Sequence, residues 1–232
     1  MCVFRVSRSQ ILAALMLPII LCVLALLLVL ALVLQGRPFL YTSERMRDAD
    51  TTFRFYKIRT MTPVEGAAEM VLGGHQQGRV TGFGRVLRRT RLDELPQIFN
   101  VLKGDIGFIG PRPPLRRHVD ACPSAYGEVL RAMRPGITGL STVLVHRREE
   151  RLLSKCQSEF ETEVVYLAHC LPLKLRIDML YAQRRSVSLD LLILWRTALR
   201  LLSWDRGAQS VAVPGRDVQR SVAQSVDLAR AA

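Results

Sequence analysis

The chain has 232 residues, of which 49% are hydrophobic and 6% aromatic, with 33 Lys and Arg against 20 Asp and Glu. That length suits one ordinary domain plus an appendage and excludes two large domains. The apolar content excludes wholesale disorder, collagen and low-complexity repeats, and the net charge of +13 favours anionic partners: phosphates, nucleotides, anionic lipid or nucleic acid.

The cysteines, Cys2, Cys22, Cys122, Cys156 and Cys170, are odd in number, scattered, and form no C-x-x-C pair. That pattern argues against a disulfide framework and a zinc site and fits a reducing compartment. No His-plus-Asn constellation accompanies any of them, so none stands out as a catalytic thiol.

Residues Ile11–Leu34 run 24 positions without a charge. As a helix they extend roughly 36 Å at about 1.5 Å per residue, enough to cross a hydrocarbon core about 30 Å thick with tilt. The run is too long for a signal-peptide core, and no small-x-small cleavage site follows it closely. Pro18 removes one backbone hydrogen bond and supplies a place to bend. Basic residues flank both ends, Arg5 and Arg8 before the run and Arg37, Arg45 and Arg47 after it. The positive-inside rule draws both flanks to the cytoplasm. A bent helix that enters one leaflet and returns satisfies both; a tilted spanning helix with a mild kink is the other reading.

From Arg37 to about Trp204 short apolar runs alternate with turns and helical stretches. FRFYKIRTM (Phe53–Met61) reads as a strand leading into a loop, Thr62–Arg79, rich in glycine. Gly84–Leu102 has helical spacing, with Leu92, Leu95, Phe99 and Leu102 on one face, ended by Lys103-Gly104 as a C-cap. DIGFIGPRPPL (Asp105–Leu115) reads as a short strand running into a proline-fixed loop, Arg116–Met133 as a helix, and RPGITGL (Arg134–Leu140) as a turn. Val187–Trp204 is an amphipathic helix, with Leu191, Leu192, Leu194, Trp195, Ala198 and Leu199 on its apolar side and Arg196 and Arg200 opposite. Such a helix lies flat in a membrane interface or packs on its own domain. From Asp205 the composition shifts to Ala, Ser, Gln, Val and Arg. Three parts result: a membrane-anchoring helix (1–36), a soluble domain (37–204) and a mobile tail (205–232). The fold class is α+β, mostly helical.

Two features carry chemistry. Asp93 and Glu94 sit just ahead of Pro96, a residue favoured in a helix's first turn. Carboxylates there feel the positive end of the helix dipole, and Arg88, Arg89 and Arg91 lie just upstream. Both effects hold a carboxylate ionised, which suits a nucleophile or a metal ligand; plain helix-start capping is the alternative. The second feature is Arg112, whose backbone is restricted by Pro111 and Pro113. Less entropy is then lost when its fork grips a phosphate. Lys57 and Arg59 alternate on the strand and point to one side, and Arg134 precedes Pro135-Gly136.

The four histidines, His75, His118, His146 and His169, show no ligand spacing. Neither a P-loop nor a G-x-G-x-x-G fingerprint occurs. A hard cation needs only one or two carboxylate ligands when phosphate oxygens supply the rest. The few aromatics show no stacking pattern, so a nucleic-acid partner is not expected.

Four blocks stand in order: FRFYKIRTM (Phe53–Met61), RVTGFGRVLRRTRLDELPQIFNVLKGD (Arg79–Asp105), FIGPRPPL (Phe108–Leu115) and RPGITGL (Arg134–Leu140). With the apolar segment before them and LKLRIDMLYAQRRSVSLDLLILWRTALRLL (Leu173–Leu202) after, the chain resembles the bacterial sugar transferases, monotopic phosphoglycosyl transferases, over about residues 11–204. The resemblance implies transfer of a phospho-sugar from a UDP-sugar to a polyprenol phosphate at the cytoplasmic leaflet, with release of UMP. This is the step that begins exopolysaccharide, O-antigen or glycoprotein glycan assembly. It implies that Asp93 is the nucleophile, that Glu94 supports the site, that magnesium bridges Asp93 and the diphosphate, and that Arg112 binds phosphate. Lys57, Arg59, Arg88 and Arg134 are the further basic candidates for substrate binding. It also implies a re-entrant anchor broken at Pro18, in the bacterial inner membrane.

The chain departs from the family pattern at three places. Gly107 stands where a serine is common, SERMR (Ser43–Arg47) keeps Arg45 but lacks a glycine, and VLVHRREE (Val143–Glu150) replaces an Asn-Gly-Arg-like turn. The last bears on the sugar pocket. A non-catalytic basic membrane protein is the rival reading, and it has no use for the carboxylate pair beside the Pro-Arg-Pro arginine; a lipid-phosphate hydrolase, releasing inorganic phosphate and not UMP, is another.

Overall fold

The structure, a computed structural model, describes residues 7–63 and 79–202. The expectations for Arg5, for most of the glycine-rich loop and for the mobile tail lie outside these residues.

The chain is mostly helical with two small sheets, as α+β requires. Helix α1 (Arg8–Gln35) is closed at its start by a capping box, in which the Ser7 hydroxyl accepts from the Gln10 backbone and the Gln10 side chain accepts from the Ser7 N–H. It is long and apolar enough to cross a membrane. Pro18 lies inside it without dividing it into two elements. A proline removes one backbone hydrogen bond, here to the Ala14 carbonyl, and its ring crowds that carbonyl, which bends a helix without having to end it.

One face of α1 rests on the rest of the protein along its whole length. Gln10 Nε2 donates to the Leu102 carbonyl at 3.0 Å. Ala13, Leu17 and Ile20 pack with Phe53, Phe55 and Ile98, and Leu24, Leu27 and Ala31 pack with Ile58 and Leu87. Gln35 Nε2 donates to the Arg59 carbonyl at 3.0 Å. The other face, including Leu15, Ile19, Leu26, Val29 and Val33, is bare.

Strands β1 (Leu40–Met46) and β2 (Thr52–Ile58) form an antiparallel hairpin, Leu40 opposite Ile58 and Met46 opposite Thr52. Phe53 and Phe55 alternate inward from β2. The expected helix over Gly84–Leu102 is three pieces: α2 (Gly82–Thr90), a 3-10 helix (Leu92–Gln97) and α3 (Ile98–Lys103). Arg91 breaks it in the left-handed conformation, φ 56°, at a cost of about 1–2 kcal/mol for a residue with a Cβ. Pro96 then lacks the N–H that a regular α-turn would use. Gly104, φ 77°, ends α3 as a left-handed C-cap.

RPGITGL is not merely a turn. Its Gly136–Thr138 segment is strand β4, which pairs in parallel with β3 (Gly107–Ile109). A Cβ on Gly136 would lie 2.3 Å from the Gly110 nitrogen, so the glycine serves close backbone approach. The expected Arg116–Met133 helix is two, α4 (Arg116–Ala121) and α5 (Pro123–Ala132), because Pro123 starts a new helix at its first turn. Helix α6 (Leu140–Leu153), α7 (Glu159–Val165), a π-turn (Tyr166–Cys170) and α8 (Leu171–Gln183) complete the main helical core around Val129, Leu130, Val165, Leu171 and Leu175. Helix α9 (Val187–Leu202) buries Ile193 against Tyr181 and Met133 and leaves Val187, Leu191, Leu192, Trp195 and Leu199 exposed. It therefore packs on its own domain by one side and presents an apolar stripe on the other.

Candidate active site

Strand β2, the 3-10 helix and the Pro-Arg-Pro loop converge on the two adjacent carboxylates. Arg91's left-handed turn reverses the chain after α2 and opens the 3-10 helix, which carries Asp93 and Glu94 in its first turn. Asn100, itself fully buried, ties α3 to β2 by donating to the Arg54 carbonyl at 2.7 Å, which keeps the strand against the helix. The loop is set by β4: the Gly136 N–H donates to the Pro111 carbonyl at 2.9 Å. Pro111 and Pro113 are buried on either side of the partly exposed Arg112.

Asp93 is 1% exposed and Glu94 8%. Lys57 Nζ lies 2.8 Å from Asp93 Oδ2 and 3.8 Å from Glu94 Oε1. Arg91 Nη1 donates to Glu94 Oε1 at 3.2 Å, and Arg112 Nη1 is 3.6 Å from the same oxygen. Burial pushes the Glu94 carboxyl upward, but Arg112, Lys57 and Arg91 outweigh it and hold Glu94 below the usual carboxylate range. Burial lowers the Lys57 ammonium, partly offset by Glu94 and Asp93. Arg88 is lowered by burial and partly restored by the charge of Asp93.

A buried carboxylate pair faced by several cations is an arrangement chemically suited to receive an anion beside an ionised acid. Among the described residues, no hydrogen-bond donor meets Asp93 Oδ1 in proper geometry. Among the described residues, no trio of His, Cys, Asp or Glu gathers there into a full metal cage. An under-satisfied carboxylate oxygen suits a hard cation that takes its remaining ligands from substrate phosphates. Asp93 thus fits a magnesium ligand.

The structure brings together Lys57, Arg88, Asp93, Glu94 and Arg112, with Pro111 and Pro113 as the frame. It does not bring Arg59 and Arg134 to the carboxylates. Arg59 follows the last β2 residue, so the strand alternation expected to align it with Lys57 has ended. Its guanidinium donates to the Gln35 and Gly36 carbonyls at the end of α1. Arg134 Nη1 donates to the Gly104 carbonyl at 3.0 Å, past the end of α3. Both serve helix C-termini, where cations are favoured. Sequence reasoning missed Thr60, whose Oγ1 accepts from Arg88 Nε at 2.8 Å. Its only signal was a polar residue directly after the basic positions Lys57 and Arg59 in KIRT.

A family model described as bacterial sugar transferase matches residues 4–204. The chain belongs to the bacterial sugar transferase family. A UDP-glucose:undecaprenyl-phosphate glucose-1-phosphate transferase of Caulobacter vibrioides is 33% identical over 206 residues, 88% of this chain and 70% of that protein. A UDP-N-acetylgalactosamine-undecaprenyl-phosphate N-acetylgalactosaminephosphotransferase of Aeromonas hydrophila is 33% identical over 170 residues, 72% of this chain and 36% of that protein. A UDP-glucose:undecaprenyl-phosphate glucose-1-phosphate transferase of Klebsiella pneumoniae is 33% identical over 165 residues, 70% of this chain and 32% of that protein. The chain thus spans about a third of the length of two of these relatives.

Proposed function

We propose that the protein transfers a phospho-sugar from a UDP-sugar to undecaprenyl phosphate, releasing UMP, as the first membrane step of exopolysaccharide, O-antigen or glycoconjugate synthesis. The observation that carries this reading is the buried Asp93–Glu94 pair held among Lys57, Arg91 and Arg112. Family membership and the relatives named for this reaction support it.

In the first step an Asp93 carboxylate oxygen attacks the phosphorus that bears the sugar. The bond from that phosphorus to the bridging oxygen breaks, and UMP leaves with the electron pair. In the second step a phosphate oxygen of the polyprenol phosphate attacks the same phosphorus. The Asp93 ester bond breaks, the carboxylate is restored, and a polyprenol-diphosphate sugar results. Lys57, Arg88 and Arg112 bind the phosphate oxygens and spread their charge, and Lys57 orients Asp93. Glu94, ionised, holds Lys57, Arg91 and Arg112 in place. Magnesium, held by Asp93 and the diphosphate, supplies shielding between two anions when bound.

The same reading places α1 in one leaflet of the bacterial inner membrane as a re-entrant anchor, with both ends and the catalytic domain on the cytoplasmic side and Pro18 as the point of bending. It is supported by the contacts of both Gln10 and Gln35 with one globular body, by basic flanks at both ends, and by the bare apolar face of α9. A chain with Arg8→Cys and no other cysteine should resist an impermeant thiol reagent in intact cells and react after lysis. Labelling in intact cells would instead show a spanning helix. The reaction itself is tested by offering a panel of UDP-sugars with undecaprenyl phosphate. UMP release with one of them is expected; inorganic phosphate release, or no turnover with any, contradicts the reading.

A further inference from the structure

Next to the carboxylates lies a polar junction in which Arg88 alone has a part in the reaction proposed above. The end of α1, the residues after β2 and the start of α2 meet there. Gln35 Nε2 donates to the Arg59 carbonyl at 3.0 Å, and Gln35 Oε1 accepts from Thr81 Oγ1 at 2.8 Å. Thr81 is the N-cap of α2 and accepts from the Gly84 N–H at 2.9 Å. The Thr81 N–H donates to the Thr60 carbonyl at 3.1 Å. A Cβ on Gly84 would lie 2.1 Å from that carbonyl oxygen, so α2 lies directly on the backbone of residue 60. One turn further along α2, Arg88 Nε donates to Thr60 Oγ1 at 2.8 Å. Thr60 is 4% exposed, so its hydroxyl is not shared with bulk water.

An arginine side chain has many rotamers, and gripping a phosphate with a free one sacrifices that freedom. A fixed acceptor on Nε sets the plane of the guanidinium and leaves its two terminal nitrogens for an anion. We infer that Thr60 is a positioning residue for Arg88, orienting its guanidinium toward the diphosphate at Asp93, and that Gln35 ties this device to the end of the membrane helix. The inference rests on the reading of Arg88 as a phosphate ligand. It names how that ligand is pre-organised and links the placement of the anchor to the geometry of the site.

The test uses the full chain in detergent, with two variants. Thr60→Val removes the hydroxyl at nearly constant volume; Thr60→Ser keeps it. The first readout needs no turnover: the Arg88 Nε–H signal in nitrogen-15 spectra, assigned by its loss in Arg88→Ala. Its exchange with water should be slow in the native chain and in Thr60→Ser, and fast in Thr60→Val. Equal exchange in all three overturns the inference. The second readout is a double-mutant cycle on UMP release. Thr60→Val should lower kcat/KM for the UDP-sugar about tenfold, chiefly through KM, with little change in Tm. Thr60→Ser should recover most of this, and Thr60→Val should have no added effect in an Arg88→Ala background. The same loss with and without Arg88 makes Thr60 a packing residue and overturns the inference. A native chain that releases no UMP, yet shows the protected Arg88 signal dependent on the Thr60 hydroxyl, overturns the proposed reaction and supports the positioning bond.

Discussion

Two regions of the molecule both bury carboxylates and treat them in opposite ways. Glu94, 8% exposed, is held ionised because Arg112, Lys57 and Arg91 outweigh its desolvation. Asp178 on α8 is 4% exposed, and its carboxyl is pushed up to about 6 by burial, against weaker help from Ser141 and Lys174. Lys174 is the nearest cation, but its ammonium sits 3.1–3.2 Å from both oxygens of Glu149 and is largely committed there. The number of cations free to face the carboxylate decides its charge, and burial alone does not. The first region sets three cations against an ionised acid; the second holds a weakly compensated carboxyl within the helical core.

The contrast is broken most severely at Asp93. Asp93→Asn keeps the shape and removes the proposed nucleophile, so turnover should fall at least about a thousandfold. Measured UMP release within tenfold of the native rate would remove Asp93 from the reaction.

Arg112 comes next. The buried prolines around it fix the backbone whatever the side chain, so Arg112→Ala should leave Tm nearly unchanged. It should lower kcat/KM roughly ten- to a hundredfold, the value of one charge-assisted contact. A large fall in Tm with intact kinetics would make it a structural residue.

The lowered Lys57 ammonium gives a milder effect. As pH rises through its pKa the positive charge beside Asp93 is lost, so the alkaline limb of activity should begin below the ordinary lysine value of 10.5. Lys57→Arg should move that limb upward, since arginine stays charged. A pH profile unchanged by the substitution would assign the limb to another group.

The smallest effect is expected in the second region. Asp178 has a folded value raised above its unfolded one, so the neutral acid is the form that the fold accommodates. Its contribution is fully present below about 4 and is lost as pH rises through about 6. Asp178→Asn should therefore raise stability at pH 8 by at most about 3 kcal/mol and flatten the fall in Tm between pH 4 and 7. UMP release should be near native. A variant less stable at pH 8 would show that the ionised carboxylate is satisfied after all.

The legibility of these regions in the sequence differs for the same physical reason. The apolar run of α1, the Asp93–Glu94 pair, the Gly104 cap and the Pro-Arg-Pro loop are local patterns, and each was readable where it stands. What was hidden depends on approach between distant segments. Gly136 reads as a turn residue, yet it is needed because another backbone passes close to it. Arg91 in the left-handed region leaves no compositional trace, so the break that creates the 3-10 helix was not visible. Arg59 and Arg134 are basic like Lys57, and only the fold shows them spent on helix ends. Asp178 carried no local signal, because its neighbours come from α6 and from its own helix.

The central claim is that Asp93 becomes covalently loaded, and the most direct measurement is the mass of the peptide that contains it. The full chain is incubated with the accepted UDP-sugar and magnesium, without undecaprenyl phosphate, then digested. The account predicts that this peptide gains the mass of one phospho-sugar, that UMP appears in equal amount, and that Asp93→Asn shows neither. Full turnover with no adduct on Asp93 at any time, or an adduct on another residue, would contradict it.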